Sequence, residues 1–332
     1  MNYSISKIIL KLFMILLVLN PSNILIAGSG SFPPTGTLIV LNISDSMVGF
    51  ISLKSGRMTA MVPIDKGPHK IAVSSDGKTA VITNHDFGEK GTSLTVIDIF
   101  RQKIEKRIDL KEYGQLRSIV YLPNENSVLL STEGDHSLMK VDVESGKVIR
   151  SIKIGNMWIT RAVDVSSDGA RAYVSQLGSG TFSIIDLNRF ELLKIIDIGG
   201  ATEGFDISPD DKEIWVAVRA KDKINIVDSE KLKVVGAVNS GNFPVRVKFT
   251  IDGKHVVVSN ALSGDISIID TSTREEIHRL KLHTSSIDSK ILTLWNSNIS
   301  MGKNPKPYRY TNTSRWNILI CIYIECCCDS GN

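Results

Sequence analysis

Ionisable side chains recur at one position of a repeated pattern in this chain. The position lies seven residues before the aspartate of a turn, or before Asn124 where the turn is degenerate. If the pattern is a structural repeat, these positions form a ring, and polar groups that converge at a concave mouth are typical of a ligand site. We predict such a site from the four ionisable residues at this position. The alternative is that they are solvated side chains at strand ends. The residues at this position are His69, Arg117, Arg161, Glu203 and Val245.

An aspartate also recurs, at the end of each copy of a short apolar run. Catalytic carboxylates would belong to one copy, whereas these occur in every copy. We therefore predict that they accept backbone hydrogen bonds in turns, as aspartate does in Asx turns. Their successive spacings are 44, 44, 42 and 42 residues, and they are Asp98, Asp142, Asp186, Asp228 and Asp270.

The chain lacks the usual enzyme motifs: G-x-S-x-G, the P-loop, H-E-x-x-H and C-x-x-C-H. No two of its six histidines have metal-ligand spacing, and only His69 is suitably placed for a haem ligand. We therefore predict no catalytic residue, no metal site and no cofactor. An enzyme or redox accessory protein is the alternative, because repeat proteins can gather a site from separate copies.

Tandem β-strands position these residues. Each copy begins with an apolar strand that ends at a turn, as in the segments 71–77, 163–169 and 247–253, with a degenerate copy at 119–125. Asp-Gly between apolar runs is a strong hairpin signal, because glycine accepts positive φ without steric cost. A second strand, the Asp-ending third strand and a fourth strand follow in each copy.

Four short strands in each period of 42 to 44 residues predict an all-β fold, a β-propeller of four-stranded blades. The segments Thr37 to Asn42 and Val48 to Leu53 look like an N-terminal part-blade. An intact relative would have six or seven blades, and this ring is expected to be incompletely closed. Five complete blades are predicted to start near Pro68, Leu116, Thr160, Thr202 and Pro244.

The repeat resembles the YVTN-type propeller repeat of surface-layer and quinoprotein-like propellers, and distantly the haem d1 domain of a nitrite reductase. The resemblance extends from residue 37 to about 282, and the segments 68–84, 172–176 and 266–282 carry it. It implies a scaffold that is used for many purposes and does not by itself imply one activity.

The C-terminal segment 283–332 departs from the repeat and contains all four cysteines, so the body has no disulfide framework. Shifting the possible codons from Pro307 onward by one nucleotide permits P-I-G-I-L-I-H-P-D-G-T-Y-L-Y-V, which has the spacing of Pro244 to Asp252. The codons for Trp316 and Asn317, when they are read in the shifted frame, must contain a glycine codon at the position of the turn glycine. We hypothesise a frameshifted remnant of a further blade, and the nucleotide sequence decides between this and a true extension.

Residues 1–27 have the layout of a secretory signal, with lysines flanking an apolar run and cleavage plausible after Ala27. The alternative is an uncleaved anchor. Removing Lys7 and Lys11 lowers the formal charge from +4 to +2, too little for an electrostatic footprint on nucleic acid.

The sequence thus predicts a propeller at residues 28–282 that is periplasmic or extracellular, monomeric, not nucleic-acid-binding and without a membrane span after cleavage. The predicted function is to bind a protein, peptide or small molecule at the channel mouth. A defective, frameshifted product that does nothing is a further alternative. The mass of the exported protein tests the cleavage.

Overall fold

The computed structural model describes residues 36–281, except 44, 86–90, 134–135 and 155–159. The predicted signal peptide and the segment 283–332 lie outside the described residues. Within them the chain forms β-strands and one three-residue 3-10 helix, Arg219–Lys221, in six sheets arranged as the blades of a propeller. The prediction of an all-β propeller is confirmed. No helix in these residues has the length and hydropathy that a membrane crossing requires.

The first blade has three strands and each later blade has four, hydrogen-bonded in chain order. The first blade comprises β1 (Thr37–Asn42), β2 (Met47–Ser52) and β3 (Arg57–Pro63). The second comprises β4 (Pro68–Val73), β5 (Thr79–Asn84), β6 (Ser93–Asp98) and β7 (Lys103–Asp109). The third comprises β8 (Leu116–Tyr121), β9 (Ser127–Thr132), β10 (Ser137–Asp142) and β11 (Val148–Lys153).

The remaining three blades follow the same plan. The fourth comprises β12 (Thr160–Val165), β13 (Arg171–Gln176), β14 (Thr181–Asp186) and β15 (Glu191–Asp197). The fifth comprises β16 (Thr202–Ile207), β17 (Glu213–Val218), β18 (Lys223–Asp228) and β19 (Lys233–Asn239). The sixth comprises β20 (Pro244–Phe249), β21 (His255–Asn260), β22 (Asp265–Asp270) and β23 (Glu275–Lys281).

The turn that joins the first and second strands of a blade explains why the sequence marks the blades so clearly. Gly77, Gly169 and Gly253 all have φ near +68°, a conformation that glycine adopts without the steric cost of a Cβ. Asp211 takes this position in the fifth blade with φ +57°, and in the degenerate third blade the positive φ falls on Asn124. The five predicted blade starts coincide with the first residues of β4, β8, β12, β16 and β20.

Apolar cores lie between neighbouring blades. Between the first and second blades, Ile39 and Leu41 of β1 pack with Ile71, Ala80 and Ile82. Equivalent clusters join each following pair of blades, and that between the fifth and sixth contains the fully buried Trp215. The first strands of successive blades contact each other, so they form the inner wall of the ring.

The first blade lacks its innermost strand among the described residues. In complete blades the third and fourth strands pair with a register shift, as at Val96/Ile97, and the second and third pair without one. β2 and β3 pair with such a shift at Phe50/Ile51, whereas β1 and β2 pair without one. Therefore β1, β2 and β3 are the second, third and fourth strands of their blade. No hydrogen-bonded pairing of described strands joins the first blade to the sixth, so the expectation of an incompletely closed ring is confirmed.

Candidate functional site

The predicted ring residues occupy the second position of the first strands, and contacts between these strands bring them to one end of the channel. His69, Arg117 and Glu203 are buried, Arg161 and Val245 are half-buried. The His69 imidazole Nδ1 lies 3.2 Å from the backbone oxygen of Arg117 in the next blade, and Arg161 Nε lies 3.6 Å from Glu203 Oε2. The side chains therefore point into shared contacts and are not dispersed over the surface.

A second ring at the same end was missed by the sequence analysis. It consists of the residue that directly follows the second strand of each complete blade. In four of these blades, the backbone N–H of this residue donates to the backbone oxygen of the residue that precedes the first strand. His85 does so to Gly67 at 2.7 Å, and Arg219 does so to Ala201 at 3.0 Å. The repeat register could have revealed this ring, because its position also recurs once per blade. Its residues are His85, Glu133, Leu177, Arg219 and Ala261.

Ion pairs join the two rings, and one further arginine lies close to them. Arg117 Nε is 3.2 Å from Glu133 Oε1, and Arg219 NH1 donates to Glu203 Oε1. Arg246 lies near enough to Arg117 and His69 to act on both electrostatically. Four arginines and two glutamates leave an excess of positive charge. We call this set the channel mouth: His69, His85, Arg117, Glu133, Arg161, Glu203, Arg219 and Arg246.

The two histidines of the channel mouth are neutral at pH 7. Burial, and next the Arg117 charge, hold the pKa of His69 well below its usual value and lower that of His85. His85 Nδ1 lies 3.1 Å from the Leu116 carbonyl oxygen. A carbonyl only accepts hydrogen bonds, so Nδ1 is the donor in both rings and Nε2 carries the lone pair.

This burial has a consequence for stability. Because the pKa of each histidine is lower in the folded state, the unfolded chain takes up the proton first as the pH falls below 6.5. The contribution of the neutral histidines to the free energy of unfolding is therefore fully present above pH 6.5. Below that pH the free energy of unfolding should fall by up to about 1.4 kcal/mol per pH unit for each histidine. We expect His69→Gln to weaken the decrease between pH 7 and pH 5.5 in urea unfolding experiments. The exposed His278 is the control, and an equal effect of His278→Gln would contradict the assignment.

Several polar atoms of the channel mouth are incompletely satisfied. Arg117 Nε, Arg161 Nε and Glu133 Oε1 are inaccessible to solvent and make no well-aligned hydrogen bond within the described residues. Burial and then repulsion from Arg161 lower the Arg117 pKa to about 10, so this side chain is still charged at neutral pH. Buried cations that are poorly hydrogen-bonded are stabilised by an added anion.

The opposite end of the channel carries another charged group that the sequence analysis did not identify. Asp164, Asp206 and Lys248 occupy one equivalent position in three successive first strands. Asp206 Oδ1 accepts from Lys248 Nζ at 2.7 Å, and Oδ2 accepts from Phe249 N at 2.7 Å. Asp164 accepts only from the N–H of Val165, at 2.9 Å, among the described residues, and burial raises its pKa to about 6. These residues line a cavity of about 270 Å³.

The repeated aspartates lie in the turns before the fourth strands. Asp98 Oδ1 accepts from Arg101 N at 2.8 Å, and Asp142 Oδ1 accepts from Ser145 N at 2.7 Å. Asp186, Asp228 and Asp270 make the same kind of bond. They lie away from the channel mouth, and within the described residues no group of three histidine, cysteine or acidic side chains is arranged to bind a metal ion.

The fold and the channel mouth define a β-propeller with a cationic, histidine-containing channel opening. The family model of the cytochrome D1 heme domain matches residues 118–288, just over half of the chain. The chain therefore belongs to the cytochrome D1 heme domain family. The more specific resemblance to the YVTN-type repeat stays a prediction. No curated protein matches the sequence.

Solved structures with the same fold include two proteins of low sequence identity. Kuenenia stuttgartiensis hydrazine synthase matches with a TM-score of 0.64 and 22% identity, over 71% of this chain and 80% of that chain. A functionally unknown protein from Desulfotomaculum acetoxidans DSM 771 matches with a TM-score of 0.63 and 16% identity, over 71% and 75% of the two chains. At these identities the likeness shows the fold alone.

The family name implies a haem, and the channel mouth has groups that fit one. The arginines with unsatisfied Nε atoms suit the acidic side groups of a tetrapyrrole. His69 offers a neutral imidazole whose lone pair is on Nε2, the form of histidine that binds metals. The donor set is thus compatible with the group that the family implies.

Proposed function

We propose that this chain is an exported, non-enzymatic propeller that binds a small anionic ligand at its channel mouth. The observation that carries the proposal is the excess of positive charge there, together with the buried Nε atoms of Arg117 and Arg161, which lack aligned acceptors. An anion that carries carboxylate or phosphate oxygens supplies such acceptors and offsets the charge.

Arginine is suited to this role because its planar guanidinium binds two oxygens of an oxyanion at once and stays charged when buried. Glu203 and Glu133 pair with the guanidinium groups, so their carboxylates compete with an anionic ligand for these groups. Because the histidines are neutral at pH 7, they add no charge, and each can only accept a hydrogen bond at Nε2, since Nδ1–H donates to a backbone carbonyl.

We expect citrate and inorganic phosphate, measured by titration calorimetry at low salt, to bind the full chain. Arg161→Gln should weaken the binding of these anions about tenfold, because a charge-assisted hydrogen bond is lost. Arg101→Gln changes the net charge equally at an exposed arginine on the turn after β6 and should leave the affinity unchanged. Equal losses in both variants, or no binding to the parent chain, would refute the anion site.

A haem protein of the envelope is the second candidate, favoured by the family match and by His69. Arg117 and Arg161 would hold the acidic side groups, and His69 Nε2 would face the iron. The bound group would supply redox chemistry at that iron. Reconstitution with haem tests this: His69→Ala should change the absorption spectrum of the bound haem, whereas Arg161→Gln should change mainly its affinity. Identical spectra of the parent and His69→Ala would exclude the ligation.

A further inference from the structure

Within the described residues no strand occupies the inner position of the first blade, so one edge of β1 is unpaired there. In the second blade, Ser74 N donates to Thr79 O and His85 N donates to Gly67 O, so alternate residues of the second strand face the first strand. By the equivalent register, Thr37, Ile39 and Leu41 direct their backbone groups to the vacant side of β1. Within the described residues β1 pairs with β2 alone, so these groups have no strand partner.

The exposure of side chains on the described strands agrees with an unpaired edge of β1. The second strands β5, β13 and β17 are buried at every residue after the first, and β9 is buried throughout. β1 and β21, the two second strands that border the opening of the ring, are instead buried only at alternate residues. Leu38 and Val40 lie on the face of β1 opposite the core residues Ile39 and Leu41, so they face the opening.

The five complete blades define what belongs at this position. Each has a first strand of six residues, antiparallel to the second strand, with apolar side chains at its fourth and sixth positions. In β20 these are Val247 and Phe249, and an Ile-Asp-Gly turn follows closely. A strand of this pattern matches the edge of β1 in length, direction and register.

We propose that the β1 edge is a strand-acceptor site whose occupant is an extended peptide segment with the first-strand pattern of this chain, supplied in trans. Backbone hydrogen bonds to Thr37, Ile39 and Leu41 provide the affinity, and the fourth and sixth side chains of the guest provide the selectivity. The segment that the shifted frame of the C-terminal codons would encode, P-I-G-I-L-I-H-P-D-G, has this pattern.

The probe is a labelled synthetic peptide that copies residues 244–253, P-V-R-V-K-F-T-I-D-G, titrated into the full chain by fluorescence anisotropy. We expect saturable binding and slower hydrogen exchange at Thr37, Ile39 and Leu41. A peptide with Val247→Thr and Phe249→Thr keeps the β propensity but loses the apolar side chains, and it should bind far more weakly.

Two variants of the chain locate the site. Val40→Lys places a charge at the opening and should weaken peptide binding about tenfold or more, because charges on a strand edge oppose pairing. Met61→Lys adds the same charge to the exposed outer strand β3 and should change nothing. Absence of binding, equal binding of the two peptides, or equal effects of the two variants would overturn the proposal. Concentration-dependent dimers without peptide binding would also overturn it, since the occupant would then be a second copy.

Discussion

Replacing Glu203 by glutamine is expected to lower the free energy of unfolding by about 3 kcal/mol, since it leaves two partly buried arginines without their shared carboxylate. The Glu203 side chain is 6% exposed and pairs with both Arg161 and Arg219. Glutamine keeps the shape and can still accept one hydrogen bond, but it carries no charge. Urea unfolding followed by circular dichroism measures the change.

Glu125→Gln is the matched control for this substitution. Glu125 pairs with Lys140 at 2.5 Å but is 47% exposed, so the loss should be below about 1 kcal/mol. We also expect Glu203→Gln to bind citrate more tightly than the parent does, because the ligand no longer competes with the Glu203 carboxylate for the arginines. Similar losses of stability in the two variants, or weaker citrate binding in Glu203→Gln, would contradict our account of the channel mouth.

At the other end of the channel, asparagine substitutions of Asp164 and Asp206 should have opposite effects at pH 7.5. Burial raises the pKa of Asp164 to about 6 in the folded protein, against an ordinary value of 3.8. The folded state therefore gains stability from this group below pH 3.8 and loses it as the pH rises through 6. Asp164→Asn removes the ionised form, and the stability gain over the parent should grow by about 2 kcal/mol between pH 4 and pH 7.5.

Asp206 occupies the equivalent position in the next blade, but its two oxygens accept from Lys248 Nζ and Phe249 N. Asp206→Asn should lower the free energy of unfolding by about 2 kcal/mol at pH 7.5, because the hydrogen bond to the lysine loses its charge. Thermal and urea unfolding at both pH values distinguish the two substitutions. A pH-independent effect of Asp164→Asn would show that its carboxyl group does not titrate as described.

The fold was largely predictable because the turn chemistry repeats. Asp-Gly pairs, which suit a turn with positive φ, follow the first strands of the second, fourth and sixth blades, and with the repeat period they place the blade starts at Pro68 and its four equivalents. The degenerate third blade was predicted because the repeat period places a copy at residues 119–125, and there the positive φ falls on Asn124, a residue type that tolerates it. The N-terminal part-blade was also predicted, although only the register shifts identify β1 as a second strand.

The channel mouth was predictable only in part. The residues of one ring recur at a fixed distance from a conspicuous turn, whereas His85, Glu133 and Arg219 follow second strands whose ends have no such marker. The ion pairs of Glu133 and Arg219 join the two rings, whereas Arg161 and Glu203 of the first ring pair between neighbouring blades, and sequence spacing does not encode these distances. The Asp164, Asp206 and Lys248 group was missed because its charges occur at a position that is apolar in other blades.

Among the described residues, apolar cores join each blade only to its neighbours in the chain, so the row of blades has two terminal members. Terminal members of such a row can unfold locally. In a row of units coupled by nearest-neighbour interfaces, a terminal unit has one interface and an internal unit has two. The first and sixth blades should therefore open at a lower free energy than the fourth, and native-state exchange would report a gradient along the row. A closed ring has no such terminal units, so the lack of hydrogen-bonded closure among the described strands should make unfolding less cooperative.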